Sequence, residues 1–351
     1  MIKDARALVC TLFAPLCLAG NWNADRPAFA PKDGTSLTKT LNIQGDLELE
    51  EMKLMMGGQD LSEMAGQMEM SMKHETRVVV KDTYLASEDG RPTKLKRTFE
   101  EIASNSRTSG SSMMGEQQND ATLASELEGK SVQFTLDDGD YAIAFADDEK
   151  GDETLLEDLV EDMDLRGFLP SKEVKEDDTW KVDASAVKAL LVPGGDLKLR
   201  PEEGSDAASL ESMNFSPSDM LSELEGTFEA TFKGTRSEDG VNVAVIAISI
   251  DCSSANDLTE RMQSMTESMD DQLPEGASMK VTSFDGEYEY EAEGELLWNI
   301  ETGLLHALQI SGELRMIMDV AMSMSMQGND NEMELSQTYA GNQTLTLTTE
   351  Q

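Results

Sequence analysis

In RMIMDVAMSMSMQG, residues 315–328, Met316, Met318, Met322, Met324 and Met326 stand on alternate positions, and Val320 keeps the phase. Met68, Met70 and Met72 repeat the pattern in QMEMSM, and the chain holds 23 methionines in all. Thioethers so spaced support three chemistries. As core filler, Met is an unbranched, flexible apolar side chain at strand positions where Val or Ile would serve. As the lining of a cavity, the same flexibility lets a surface repack around varied lipophilic guests. As soft ligands, Met322, Met324 and Met326 could hold Cu(I), since alternate strand residues lie about 6.6–6.8 Å apart on one face. Filler is the plainest reading. Copper ranks last, because a copper site uses few such residues and these are spread over several segments.

Other reactive side chains are scarce. The histidines are His74 and His306, so a three-histidine metal site is excluded within one chain unless acids join. Each histidine sits among strand residues and reads as structural. Cys252 closes the apolar run VAVIAISID and has only acids near it in SIDCSSAND, which suits a buried inert thiol better than a reactive one. No nucleophile elbow, P-loop, dinucleotide fingerprint or HExxH is present. Carboxylate pairs for a hydrolase carry little weight among 69 acids, and aromatic platforms for sugars are scarce at 5 %. The acid runs Asp137-Asp138-Gly139-Asp140 and Asp147-Asp148-Glu149 do not follow the twelve-residue calcium loop, and composition explains them. The expectation is a non-enzyme with no catalytic residue, no resident metal and no cofactor.

The elements that must position the methionines are strands. Two-residue alternation begins near Ser36, returns over residues 62–82 and 92–104, and resumes from Gly226 to the end. SEDGRP, DDGD, SEDG and Glu301-Thr302-Gly303 mark hairpin turns between strands. The Gly/Ser-rich stretch 105–120 reads as a loop. The centre changes period: ETLLEDLVEDM reads as a short amphipathic helix, ASAVKALL as a second capped by Asp183, and Ser216-Pro217 opens a third. Leu258, Met262, Met265, Met269 and Leu273 align one face of a further helix near 257–272. The fold class that follows is α+β: a large curved antiparallel sheet, as a half-barrel or two related sheets, with short central helices and one covering helix.

The chain of 351 residues, 39 % hydrophobic, can bury a sizeable core. Residues 1–20 read as a secretion signal, with Lys3 and Arg6 before the apolar run from Ala7 to Leu18 and small residues at Ala19-Gly20. Val9 and Leu16 precede Cys10 and Cys17, where lipidation would require a small residue, so no lipid anchor is expected. A flexible segment (21–35), a β-rich block (36–150), a helix-rich centre (151–224) and a second β-rich block (225–351) then follow. Acids outnumber bases 69 to 28, and the net charge of −41 excludes nucleic acid as a partner. No transmembrane segment is expected in the mature chain.

In LPSKEVKEDDTWKVD, the residues Leu169, Pro170, Val174, Asp178 and Trp180 resemble the "LP, then V, then acid-x-Trp" signature of an uncharacterised secreted bacterial domain family. Gly294, Trp298, Gly303 and Leu305 resemble a hairpin that planctomycete-type members add. The resemblance touches about a third of the chain; it implies an envelope location and a β-rich fold, and supplies no catalytic residue. A looser likeness of architecture is to the unclosed barrels of periplasmic lipoprotein carriers, which bind acyl chains in a concave face. The sequence is therefore read as a periplasmic or extracellular binding or carrier module for a lipophilic ligand or envelope component. Its cavity would be lined by Met68, Met70, Met72, Met316, Met318, Val320, Met322, Met324 and Met326. The alternatives are a structural or interaction protein with a filled core and, third, a carboxylate-based hydrolase.

Overall fold

The computed structural model describes residues 27–66, 68–112, 115–147, 149–201, 221–269, 277–326 and 329–351. The expected secretion signal and the helix expected from Ser216-Pro217 lie outside the described residues. Long uninterrupted alternation becomes long strands. β1 (Thr35–Met56), β3 (Glu69–Glu88), β4 (Arg91–Ser112), β12 (Ala277–Asn299), β13 (Leu304–Met326) and β14 (Asn329–Glu350) each run 20 to 23 residues. At ~3.4 Å per residue each is roughly 70 Å long. Shorter members are β2 (Gln59–Asp60), β5 (Gly115–Ala124), β6 (Ser131–Asp137), β7 (Asp140–Phe145), β8 (Thr179–Lys181), β9 (Arg200–Pro201), β10 (Glu225–Glu238) and β11 (Val241–Asp257).

These strands form one curved, unclosed antiparallel sheet in the order β7, β6, β4, β3, β1, β14, β13, β12, β11, β10, β8. β2, β5 and β9 extend it off that path. The pairing of β1 with β14, from Thr38 opposite Glu350 to Met56 opposite Met333, joins the first and last β-rich blocks into one sheet. One face of the sheet carries the core. On β13 that inner phase reads Leu308, Ile310, Gly312, Leu314, Met316, and on β12 Trp298, Leu296, Gly294, Ala292, Tyr290, Tyr288.

Glycines in this phase let adjacent strands press together. A Cβ on Gly341 would lie 1.9 Å from the carbonyl oxygen of Asp46, and one on Gly312 would lie 2.1 Å from that of Glu291. The outer phase is acidic: Asp285, Glu287, Glu289, Glu291, Glu293 and Glu295 alternate along β12.

The central segment lies against one end of the inner face. Helix α2 (Ala184–Leu191) buries Ala186, Val187, Leu190 and Leu191, and Leu155, Leu159, Met163 and Phe168 join the same core. ETLLEDLVEDM forms only a 3₁₀ turn, Glu153–Leu156, in place of the expected helix. Tertiary hydrogen bonds take its backbone instead: Arg97 binds the carbonyls of Val160 and Glu161, and Val160 N–H donates to Gly194 O at 2.8 Å. Asp183 holds the N-cap position of α2, but its side chain makes no capping bond.

The expected loop at 105–120 is a strand pair, Ala103 to Ser112 of β4 against Gly115 to Ala124 of β5. Cross-strand polar contacts stabilise it, including Arg107 Nε to Asp120 Oδ1 at 2.6 Å. Of the expected flexible segment 21–35, residues 27–35 are described, and they are held against the core. Phe29 is buried against Tyr84 and Trp298, Trp298 Nε1 donates to Ala28 O at 3.1 Å, and Ala30 N–H donates to Gly303 O at 3.0 Å. No helix among the described residues is long and apolar enough to cross a membrane.

The close approach at Gly341 gives a test. Gly341→Ala should cost about 1–3 kcal/mol, because the added methyl meets backbone that cannot yield locally. Gly110→Ala, whose nearest neighbours would be 3.8 Å away, should change stability by less than about 0.5 kcal/mol. Denaturant unfolding of the two variants checks both values.

Candidate functional site

Beyond the reach of the central segment, the inner face stays apolar; Val281 and Phe284 on β12 remain buried, while β13 loses its full burial. Leu314 is buried, whereas Met316, Met318, Val320, Met322 and Met324 are half-buried. Their cross-strand neighbours keep the apolar character: Met322 stands between Val281 and Met333, and Val320 between Phe284 and Leu335. Helix α3 (Thr259–Met269) follows β11 and crosses this face. Leu258 N–H donates to Phe284 O at 2.8 Å, Phe284 N–H donates to Thr259 Oγ1 at 2.9 Å, and Gln263 Nε2 donates to Val281 O at 3.0 Å. Underneath, Leu258 and Met262 pack with Val281, Phe284, Met318 and Val320. The covering helix foreseen near 257–272 is therefore present over Thr259–Met269, and among the described residues its cover is partial.

The structure divides the methionines expected to act together. Met70 and Met72 lie on β3 and Met316 to Met324 on β13, with β1 and β14 between them, roughly 14 Å along the sheet. Met70, Met72, Met316 and Met318 pack against the main core. Tyr339 on β14 links the two groups, standing opposite Met316 and donating its hydroxyl to Met70 Sδ at 3.9 Å. Met68 precedes β3 and is exposed. The side chain of Met326 lies outside those described.

The hollow nearest these residues opens where the sheet forks. β1 pairs with β3 only as far as Glu48 opposite Ser71, and a bulge follows between Leu49 and Glu51. The gap, of ≈ 930 Å³, is lined by Leu49, Met52, Met68 and Met70 and by the acids Glu48, Glu50, Glu51 and Glu69, so it is more polar than apolar.

The remaining sequence candidates resolve plainly. His74 lies over Gly45, and burial lowers its pKa. His306 sits on β13 and its backbone carbonyl accepts from Thr349 Oγ1. Cys252 is a free, buried thiol that burial pushes up to about 11. Beside it Tyr288 and Tyr290 are buried with ring centroids 6.3 Å apart, and burial pushes the Tyr290 hydroxyl up to about 12. That hydroxyl has no hydrogen-bond partner among the described residues. Among the acid runs, Asp147 pairs with Lys96, Glu149 with Lys130, and Asp152 caps Thr154 N–H.

Sequence reasoning missed a fully buried ionic network. Lys39 on β1, Asp82 on β3 and Arg97 on β4 occupy inner-phase positions, between Leu37 and Leu41, Val80 and Tyr84, and Leu95 and Phe99. Lys39 Nζ lies 2.7 Å from both Asp82 Oδ2 and Asp164 Oδ1. Arg97 grips Asp82 with two nitrogens at 2.7 and 2.8 Å, and Tyr84 donates to Asp164 Oδ1 at 2.5 Å. Two cations face two carboxylates at zero exposure, so the charges cancel where water is absent. Burial raises the Asp82 pKa, and the charges of Arg97 and Lys39 overcome it, holding the carboxyl near 2. The sequence signal was a charged residue in the apolar phase of three strands.

No protein-family model matches the chain, and no curated protein does. Among solved structures, the outer membrane protein OprG from Pseudomonas aeruginosa aligns over 92 % of this chain and 99 % of its own, at 8 % identity and a TM-score of 0.21. The translocator domain of autotransporter NalP from Neisseria meningitidis aligns over 90 % and 88 %, at 8 % identity and 0.13. The outer membrane protease OmpT from Escherichia coli aligns over 92 % and 98 %, at 7 % identity and 0.14. Likeness at this level assigns neither fold nor function.

Two predictions follow from the buried groups. Asp82→Asn should destabilise the protein by about 3–5 kcal/mol, because it leaves Lys39 and Arg97 under-compensated. A carboxyl with a depressed folded pKa stabilises above its unfolded value and loses that contribution as pH falls. Wild-type stability should accordingly drop between about pH 4 and pH 2, a slope that denaturant titrations should find reduced in the variant. Tyr290→Phe removes an unpaired hydroxyl and should leave stability unchanged or raise it by up to about 1 kcal/mol in the same measurement.

Proposed function

We propose that the chain is a non-enzymatic binding module of the cell envelope or exterior, which takes an apolar ligand on the Met-lined end of its inner sheet face. One observation carries the reading: β13 continues in apolar phase for twelve residues past Leu314, to Met326, while among the described residues the central segment stops short and α3 covers only part. A protein that needed only a filled core would have no use for strands longer than their cover. Methionine suits a face that must be solvated in one state and packed in another, since its side chain rearranges at little rotameric cost. The secreted address rests on the N-terminal signal pattern.

The structural alternative has its own support in the packing of Met70, Met72, Met316 and Met318 against the core. The outer end of β13 separates the two readings. N-phenyl-1-naphthylamine, a neutral apolar fluorophore, should bind saturably, and Met322→Glu with Met324→Glu should weaken it at least about tenfold while leaving the melting temperature within a few degrees. Leu85→Glu, at an already exposed position on β3 away from the methionine end, should leave binding unchanged. Native mass spectrometry of protein isolated from the cells that make it should show a co-purifying lipid-sized mass. Absence of saturable probe binding together with a bare native mass would give the structural reading instead.

A further inference from the structure

The sheet does not close, and its first edge is β7, Asp140–Phe145, with the sequence DYAIAF. A two-residue turn, Asp138 at φ 48° and Gly139 at φ 105°, sets the register of β6 against β7 so that Asp137 faces Asp140. In such a hairpin the residues flanking the turn exchange both backbone hydrogen bonds, and every second pair thereafter does the same. Asp140, Ala142 and Ala144 therefore spend their N–H and C=O groups on β6. Those of Tyr141, Ile143 and Phe145 point outward, and among the described residues β7 has no partner strand on that side.

The side chains suit an added strand. Tyr141, Ile143 and Phe145 pack inward against the core, so the edge is held rigidly, while Ala142 and Ala144 present only methyls on the other face. Alongside runs a hollow of ≈ 760 Å³ between residues 143–145 and residues 149–157. Its lining carries Glu153, Glu157 and Leu156, the single lysine Lys150, and Glu149, which is already paired with Lys130. Native edges are ordinarily blunted by lysine, proline, a bulge or a covering loop. DYAIAF has no lysine and no proline, and its pairing with β6 has no bulge.

We propose that the free edge of β7 accepts an extended, basic peptide segment of a partner protein as an added β-strand lying in this acidic hollow. The three outward N–H groups and three outward C=O groups supply affinity regardless of sequence, and the glutamates select positive charge on the incoming strand. A second copy of the chain is disfavoured as the occupant, because each copy brings a net charge of −41 to the contact.

The probe is acetyl-Lys-Val-Lys-Val-Lys-Val-amide, added to the full chain at physiological salt and followed by residue-resolved hydrogen exchange. Exchange should slow at the amides of Tyr141, Ile143 and Phe145, and change little at Ala142 and Ala144, which are already bonded to β6. The Glu counterpart, and the Lys peptide methylated on alternate amide nitrogens, should give no protection. Ile143→Pro removes one outward donor without touching the ladder to β6 and should abolish the effect. Glu153→Gln with Glu157→Gln, which leaves the edge strand itself intact, should weaken binding about tenfold and flatten its salt dependence. Protection elsewhere on the acidic surface, equal binding of the Glu or methylated peptides, or an unaltered affinity in the Glu153/Glu157 double variant would each overturn the proposal. Protection of the same amides in a dimer without added peptide would assign the edge to a second copy and also overturn it.

Discussion

The contact on which the arrangement depends is the buried network of Lys39, Asp82, Arg97 and Asp164. Three of these residues belong to adjacent strands and the fourth to the central segment. An apolar cover can slide along an apolar sheet at little cost, since the hydrophobic effect has no direction. A buried carboxylate that must meet a buried lysine cannot slide, because any other register strands charge in a dry interior. Arg97 tightens the constraint by binding the backbone carbonyls of Val160 and Glu161, which withdraws that segment from helix formation. The network therefore decides which end of the long strands is covered and, by subtraction, which end is left to α3 and the methionines.

The use of methionine follows from that subtraction. At the covered end, where two layers interlock, the inner phase is Leu, Ile, Phe, Tyr and Trp, residues with defined shapes that suit a fixed partner. At the other end one short helix crosses strands whose inner faces must remain tolerable to water. A branched side chain fits one partner well and none otherwise, whereas a thioether chain folds down onto its neighbours when nothing lies above it. The half-burial of Met316, Met318, Met322 and Met324 is this intermediate condition, and the same residue type serves the filler and the lining readings alike.

Much of the fold was legible because a strand half in water writes a period of two, and turns such as DDGD and SEDG announce where it reverses. The pairing of β1 with β14 was not legible, since alternation says which face is buried and not which strand is adjacent. Local propensity misread ETLLEDLVEDM because the deciding partners, Arg97 and Gly194, are remote in sequence. It misread residues 105–120 because Ser, Thr, Asn and Gln are loop formers alone yet pair well across an exposed strand ladder, as Thr122 and Asn105 do. The methionine face could be read as a face. That two other strands, β1 and β14, stand between Met72 and Met322 could not.

The acidity of the chain takes on a location once the sheet is known. Apart from a small buried cluster of Val243, Val245 and Leu297 at one end, the outer face of the long strands has no covering layer among the described residues, and a flat apolar face of that area would adhere to any similar surface. The outer phase of β12 answers with an acid at every position from Asp285 to Glu295, and the neighbouring strands bring Asp251 and Glu313 directly opposite Glu291, and Asp257 and Asp319 opposite Asp285. Like charges facing across a ladder oppose its formation, so these rows weaken the sheet they protect. Among the described residues Arg315 against Glu289 and Arg236 against Glu295 relieve the repulsion directly. The strands persist because the repulsion acts through water and counter-ions on one face while burial acts on the other, and the second is screened by nothing. The net charge is thus the cost of leaving most of one side of a very large sheet open to water.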